Sequence, residues 1–212
     1  MLTKRKKLSP IEKEILYRTF SVNCDKLPES SIINEYQNLE HLFNHMGFRE
    51  KYTKYSFPIL SHEFIVDIKE KINPKNVVDL ACGPGWISFW LMKYGINVKD
   101  SVDIVEDGDF KNMKFYQSRI NITKMDIIDY LVDHNDKNDL LILSWPLYAN
   151  SLAKRVFENM KNGQLLLYIG EGMSGCTAND DFHELIEDKI LDIGIHMDNF
   201  FGIHDQCYLV KK

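Results

Sequence analysis

One stretch restricts what this chain can fold into more than any other: Val77-Val78-Asp79-Leu80-Ala81-Cys82-Gly83-Pro84-Gly85-Trp86. A short apolar run of this kind reads as a buried strand, and the glycines after it force a tight turn before the next apolar segment, Trp86 to Tyr94, which has the length of a helix. Gly83 and Gly85 leave the backbone bare where another group must come close, and the helix that follows presents unpaired N–H groups at its start. A strand that runs through such a turn into a helix is the opening of a parallel α/β unit with a polar ligand at the turn.

The rest of the chain repeats that rhythm. Further strands are expected at Val98 to Ile104, Ile120 to Met125, Leu140 to Ser144, Leu165 to Ile169, Ile193 to Met197 and Cys207 to Val210. Helices are expected near Ile127 to Val132, Leu152 to Met160 and Asp180 to Leu191. The alternation predicts a mostly parallel, doubly wound sheet of seven strands with helices on both faces. A short loop between the last two strands would make them antiparallel, since a parallel pair needs a long crossover. In front of this core, Ile11, Ile15, Leu16 and Tyr17 recur at helical spacing, and so do Ile33, Tyr36, Leu39, Leu42, Phe43 and Met46, a set that ends at Gly47. The segment Lys54-Tyr55-Ser56-Phe57-Pro58 reads as a loop, because the residue before a proline is pushed out of the helical region, and Ser61 then caps a helix toward Ile72. The expected division is a helical cap over residues 1–60 and a core over 61–212.

Composition narrows the partners. A chain of 212 residues with 44% hydrophobic content supports one sizeable core, and a net charge of −5 supplies no chain-wide basic field for nucleic acid or an anionic membrane. Lys4, Arg5, Lys6 and Lys7 form a basic run at a terminus, read as solvated. Four separated cysteines without C-x-x-C spacing point to free thiols in a reducing compartment, and neither a signal peptide nor a membrane span is legible, so a cytoplasmic location is expected. No Cys/His cluster has metal-ligand spacing.

A dinucleotide site would want a third glycine, where this chain has Ser88, so a nicotinamide-dependent oxidoreductase is the distant reading. Asp79-Leu80-Ala81-Cys82-Gly83-Pro84-Gly85 instead resembles the first motif of class I S-adenosylmethionine-dependent methyltransferases. The resemblance implies that the glycine turn lies against the methionine part of S-adenosylmethionine. It also implies an acid after the second strand for the ribose hydroxyls, here Asp103 with Asp100 as the alternative register. After the third strand it implies an acceptor for the adenine amino group, Asp126, beside an apolar residue against the ring, Ile127. The cofactor-facing set it implies is Asp79, Ala81, Cys82, Gly83, Gly85, Trp86, Asp103, Asp126, Ile127, Ser144 and Trp145. Taken singly, a glycine pair is usually a turn and an aspartate at a strand end usually a helix cap; their order along the chain carries the reading.

Ser144-Trp145-Pro146-Leu147-Tyr148 resembles the fourth motif of amino-group methyltransferases, with Trp145 where that motif has Asn or Asp, which argues against adenine or glutamine nitrogen as the acceptor. Candidate catalytic residues are Tyr148, Glu171 at the head of a glycine-rich loop, and His204 beside Asp205. Asp180 is expected to cap a helix and His183 to be solvated. Tyr55-Ser56-Phe57-Pro58, the Trp-Pro element, the Gly-Glu-Gly loop and Gly-Ile-His-Asp together resemble a little-characterised branch of methyltransferases. In such a branch the stretch before the core would fold over the cofactor as a lid. The expected activity is methyl transfer to a small-molecule or peptide acceptor. The competing expectation is a module that binds the cofactor without turnover.

Overall fold

The sheet is built by strands whose side chains alternate between two buried faces. In the computed structural model, which describes residues 7–39, 42–104 and 120–212, the strands are β1 (Asn76–Leu80), β2 (Val98–Asp103), β3 (Ile122–Lys124), β4 (Asp139–Ser144), β5 (Leu165–Glu171), β6 (Ile190–Leu191) and β7 (Asp205–Lys211). They form one sheet of seven strands in the order β3-β2-β1-β4-β5-β7-β6. Strands β1 to β5 are parallel, and β7 is inserted antiparallel between β5 and β6. The chain order reverses between β1 and β4, and a crevice opens at such a point beyond the carboxyl ends of the strands.

Neighbouring residues take opposite sides of this sheet. Val77, Leu140, Ile142 and Leu167 join one core cluster with Trp86 and Trp90, while Val78, Leu141, Leu143 and Leu166 join another with Tyr130, Phe157 and Phe182. The first cluster is covered by α1 (Pro10–Phe20), α2 (Ser30–Leu39), α3 (Leu42–Tyr52), α4 (His62–Asp67) and α5 (Trp86–Lys93); the second by α6 (Ile127–Asp133), α7 (Leu152–Asn159) and α8 (Asp180–Ile186). No helix among the described residues is long and apolar enough to cross a membrane.

The N-terminal helices are fastened to the sheet by aromatic packing. α1 starts with a capping box, in which Glu12 N donates to Ser9 Oγ at 3.3 Å and Ser9 N donates to Glu12 Oε2 at 2.6 Å, and Pro10 occupies the first turn. Its end delivers Phe20 against Tyr52 and Trp86 at centroid distances of 4.7 and 5.3 Å, and the Trp90 indole donates to Thr19 O at 2.8 Å.

Several boundaries differ from the sequence expectation, each for a tertiary reason. Gly47 does not end a helix: it lies inside α3, where the buried Phe48 and Tyr52 that follow repay the roughly 1 kcal/mol a helical glycine costs. The helix capped by Ser61 reaches Ile72 only by widening into a π-turn over Ile68–Ile72, ended by Asn73 in the left-handed region. The sixth strand is not at Ile193 to Met197. Gly194, at φ +58°, turns the chain there, and Ile193, Ile195 and Met197 pack at the edge of the core without a ladder. The strand that forms is Ile190–Leu191, against Val210 and Leu209, so α8 stops at Ile186 and passes through a 3₁₀ turn (Glu187–Lys189). The link from β6 to β7 is therefore the long segment 192–204 rather than a short loop. Lys4, Arg5 and Lys6 lie outside the described residues.

Candidate cofactor site

The carboxyl ends of β1, β2 and β4 and the segment after α3 enclose a cavity of about 460 Å³. Asp79, Ala81, Cys82, Gly83, Trp86, Asp103, Asp126, Ile127, Ser144 and Trp145 line it. Residues separated by more than sixty positions thus meet around one space, and of the expected cofactor-facing set Gly85 alone is not on its wall.

The glycine turn explains itself locally. Ala81, Gly83 and Gly85 all take positive φ, at +53°, +54° and +73°. A Cβ on Gly83 would meet nothing within 4 Å, so that backbone faces open space, whereas one on Gly85 would press on Ile120 Cδ1 at 3.1 Å. Gly83 therefore keeps the cavity side of the turn bare, and Gly85 allows the turn to close against Ile120. Gly85 also stands at the N-cap of α5 without a side-chain cap, which leaves the first N–H groups of that helix without a side-chain acceptor.

Two aspartates frame the turn. Asp103, at the end of β2, accepts from Gly83 N at 2.8 Å through Oδ2, so the acid and the turn hold each other in register. Asp100 is directed elsewhere: Tyr130 of α6 donates to it at 2.5 Å. Asp79 is fully buried on β1; Ser88 donates to its Oδ2 at 2.7 Å, and Ser101 donates to Ser88 at 2.7 Å. Its Oδ1 is buried without a hydrogen-bond partner, and Asp79 is among the residues that line the cavity. Burial pushes the Asp79 carboxyl up to about 7, against the opposing effect of the Ser88 hydrogen bonds, and the negative charge of Asp103 adds to the rise. The Ser88–Ser101 relay has no signature in the sequence, where Ser88 stands out only as an absent glycine. Asp126 caps α6 by accepting from Ile128 N at 2.8 Å and Asp129 N at 3.3 Å, both at Oδ1, and still lines the cavity.

Across the cavity, Thr53, Lys54, Tyr55, Ser56 and Phe57 form the opposite wall. Phe57 stacks on Trp145, with centroids 4.9 Å apart and planes 12° from parallel. Trp145 holds a left-handed backbone, φ +51°, unusual for a bulky residue and a source of local strain. Its buried indole N–H makes no hydrogen bond of good geometry, and neither do the two carboxylate oxygens of Asp205, but a marginal hydrogen bond from the Trp145 indole favours the ionised form of Asp205. Burial pushes the Asp205 carboxyl up to about 7, and the Glu171 charge adds to the rise.

The candidate catalytic residues stand apart from this wall. Glu171, on β5 opposite Asp205 of β7, is buried and occupied: its Oε2 accepts from Cys176 N at 2.8 Å and from the Cys176 thiol at 2.7 Å, and its Oε1 from His204 N at 3.4 Å. The Cys176 thiol hydrogen bond holds the Glu171 carboxyl below its usual range. Glu171 thus ties down the glycine-rich loop behind it. His204 is exposed while Asp205 is buried, so neighbouring positions of the strand point them apart. Tyr148 is exposed, with its hydroxyl 3.4 Å from Asp180 Oδ2. Two expectations nearby are corrected. Asn179, not Asp180, is the N-cap of α8, because Asp180 is used by Ser174 N at 3.1 Å and by Tyr148. His183 is buried, not solvated, packed at an edge-on angle to Tyr168 with Nε2 3.3 Å from Thr177 O. No cluster of three or more metal-ligating side chains occurs among the described residues.

An open, mostly parallel sheet with a glycine turn at its switch point and strand-end acids around a cavity defines a Rossmann-like α/β architecture. No protein-family model matches the chain, and no curated protein sequence matches it. Solved structures similar to it include an S-adenosylmethionine-dependent methyltransferase from Archaeoglobus fulgidus, 16% identical, TM-score 0.45, covering 72% of this chain and 95% of that one. Human N-acetylserotonin methyltransferase in complex with S-adenosylmethionine is 15% identical, TM-score 0.47, over 93% of this chain and 57% of the other. TehB from Haemophilus influenzae is 21% identical, TM-score 0.48, over 77% and 66%. The likeness is one of fold.

Proposed function

We propose that the chain binds S-adenosylmethionine in the cavity at the β1–β4 switch point and transfers its methyl group to a small-molecule or peptide acceptor. The observation that carries this reading is the convergence of the glycine turn, Asp79, Asp103 and Asp126 with Ile127 on one cavity, in the order their resemblance to class I methyltransferases implies. The residues fit the group. Asp79 would offer an orphaned, buried carboxylate oxygen to the ammonium, Gly83 leaves its backbone bare on the open side of the turn, Asp103 on the cavity wall would accept from the ribose hydroxyls, and Ile127 would offer an apolar wall to the adenine.

When bound, the cofactor supplies a sulfonium-activated methyl group, so the protein has only to align a nucleophile and exclude water. Tyr55, Phe57 and Trp145 supply apolar cover over the cavity, and the segment 53–57 is the lid of this reading, with residues 1–60 as the cap that carries it. Positioning without a dedicated base agrees with the placement of Glu171, Tyr148 and His204 off the cavity wall. That same placement favours the second reading, a cofactor-binding module without turnover. Incubation with methyl-labelled S-adenosylmethionine and a fractionated metabolite and peptide pool distinguishes them. Formation of S-adenosylhomocysteine that depends on the pool supports methyl transfer; cofactor retention without turnover in every fraction supports the silent module.

A further inference from the structure

Charge bookkeeping of the cavity isolates one residue of the lid segment. The described residues on its wall include three aspartates, Asp79, Asp103 and Asp126, and a single basic residue, Lys54. S-adenosylmethionine brings two positive groups, the sulfonium and the ammonium, and one negative group, the α-carboxylate. The carboxylates complement the first two. The third needs donors or a cation, since an anion placed among three acids is repelled at close range.

We infer that Lys54 receives the α-carboxylate of the cofactor, and so makes the lid segment selective for ligands that carry an amino-acid tail. The inference rests on the proposed cofactor site. Three features suit Lys54 to the task. It is exposed, so its ammonium gives up little hydration before the ligand arrives. It sits on a fixed base: Tyr55 N and Ser56 N donate to Tyr52 O at 2.9 and 3.3 Å, Ser56 Oγ donates to Pro58 O at 2.9 Å, and the buried Tyr52 hydroxyl accepts from Leu60 N at 2.9 Å. Its segment also carries Tyr55 and Phe57, so a contact made by Lys54 ties the ligand's tail to the aromatic cover. The rival holder of the carboxylate is the start of α5, where Gly85 supplies no side-chain cap to the first N–H groups.

The two holders are separated by comparing ligands with and without the tail. S-adenosylhomocysteine carries the ammonium and carboxylate; 5′-methylthioadenosine keeps the adenosine and sulfur and lacks both. Calorimetric titration of wild type, Lys54→Met and Lys54→Arg with each ligand is the test. The inference predicts that Lys54→Met weakens S-adenosylhomocysteine by roughly tenfold, the scale of one hydrogen bond to a charged group, and leaves 5′-methylthioadenosine within about twofold. Lys54→Arg should recover most of the affinity. Equal weakening of both ligands would mean that Lys54 acts by shaping the lid, and no change in either would assign the carboxylate to α5; each result overturns the inference while the cofactor site stands. Failure of wild type to bind either ligand overturns the cofactor site itself and this inference with it.

Discussion

On the proposed function, the bare oxygen of Asp79 makes cofactor affinity depend on pH in a calculable way. In the free protein its carboxyl is pushed up to about 7 by complete burial, from an ordinary value of 3.8. A bound ammonium at Oδ1 would favour the ionised form, so the ligand selects the carboxylate and the apparent dissociation constant scales as one plus the ratio of protonated to ionised Asp79. Affinity is then nearly flat above pH 8 and weakens by about tenfold per unit below 7. At pH 6, binding of S-adenosylhomocysteine should release close to one proton, because roughly nine in ten molecules start protonated. Asp79→Asn keeps the shape and an acceptor for the Ser88 hydroxyl but removes the titration. It should bind more weakly than wild type at pH 8 and show no slope between pH 6 and 8. Calorimetry in buffers of different ionisation enthalpy reads both the affinity and the proton count. A flat wild-type profile, or a slope that survives in Asp79→Asn, would refute the assignment of the ammonium to Asp79.

Two further perturbations test the frame around the site. A Cβ at Gly175 would lie 2.4 Å from Glu171 Cβ and 2.9 Å from Gly172 O, so Gly175→Ala should destabilise the fold by about 1–3 kcal/mol in chemical denaturation, and an unchanged midpoint would contradict the close approach. Asp205, buried and pushed up to about 7 from 3.8, keeps a proton in the folded state that the unfolded chain has lost; its contribution therefore falls as pH rises from about 4 to 7 and is constant above. Asp205→Asn should accordingly gain on wild type by roughly 1.4 kcal/mol per unit across that window, read from denaturation midpoints at pH 5, 6 and 8, and an equal gap at all three would contradict it.

The parts of the fold that were legible in sequence are those whose signal is local. Val77, Val78 and Leu80 put apolar side chains on both faces of a strand that is covered on both sides, and the glycines beside it need positive φ whatever lies elsewhere in the chain. The parts that were not legible depend on distant partners. Ile193, Ile195 and Met197 alternate as a strand would, yet the ladder goes to Ile190 and Leu191 because β7 offers them Val210 and Leu209. Helix α3 runs through Gly47 because Phe48 and Tyr52 are buried against Phe200 and Phe20, a contact invisible to periodicity. The same division holds at the site. Asp79, Asp103 and Asp126 are legible because the resemblance to methyltransferase motifs names them in order along the chain, and they do line one cavity, whereas Ser88 and Lys54 gain meaning only from the side chains and cavity near them. Glu171 drew notice as a polar residue before a glycine-rich loop; the structure gives it the backbone and thiol of Cys176 as partners instead of the cavity.

Calorimetric titration of the protein with S-adenosylmethionine at pH 8, with Asp103→Ala beside it, tests the central claim most directly. The account predicts binding at micromolar levels with one site per chain, weakened by about 1.5–3 kcal/mol when the carboxylate proposed to hold the ribose is removed. Absence of binding to wild type at millimolar ligand, or equal affinity in the variant, would contradict it.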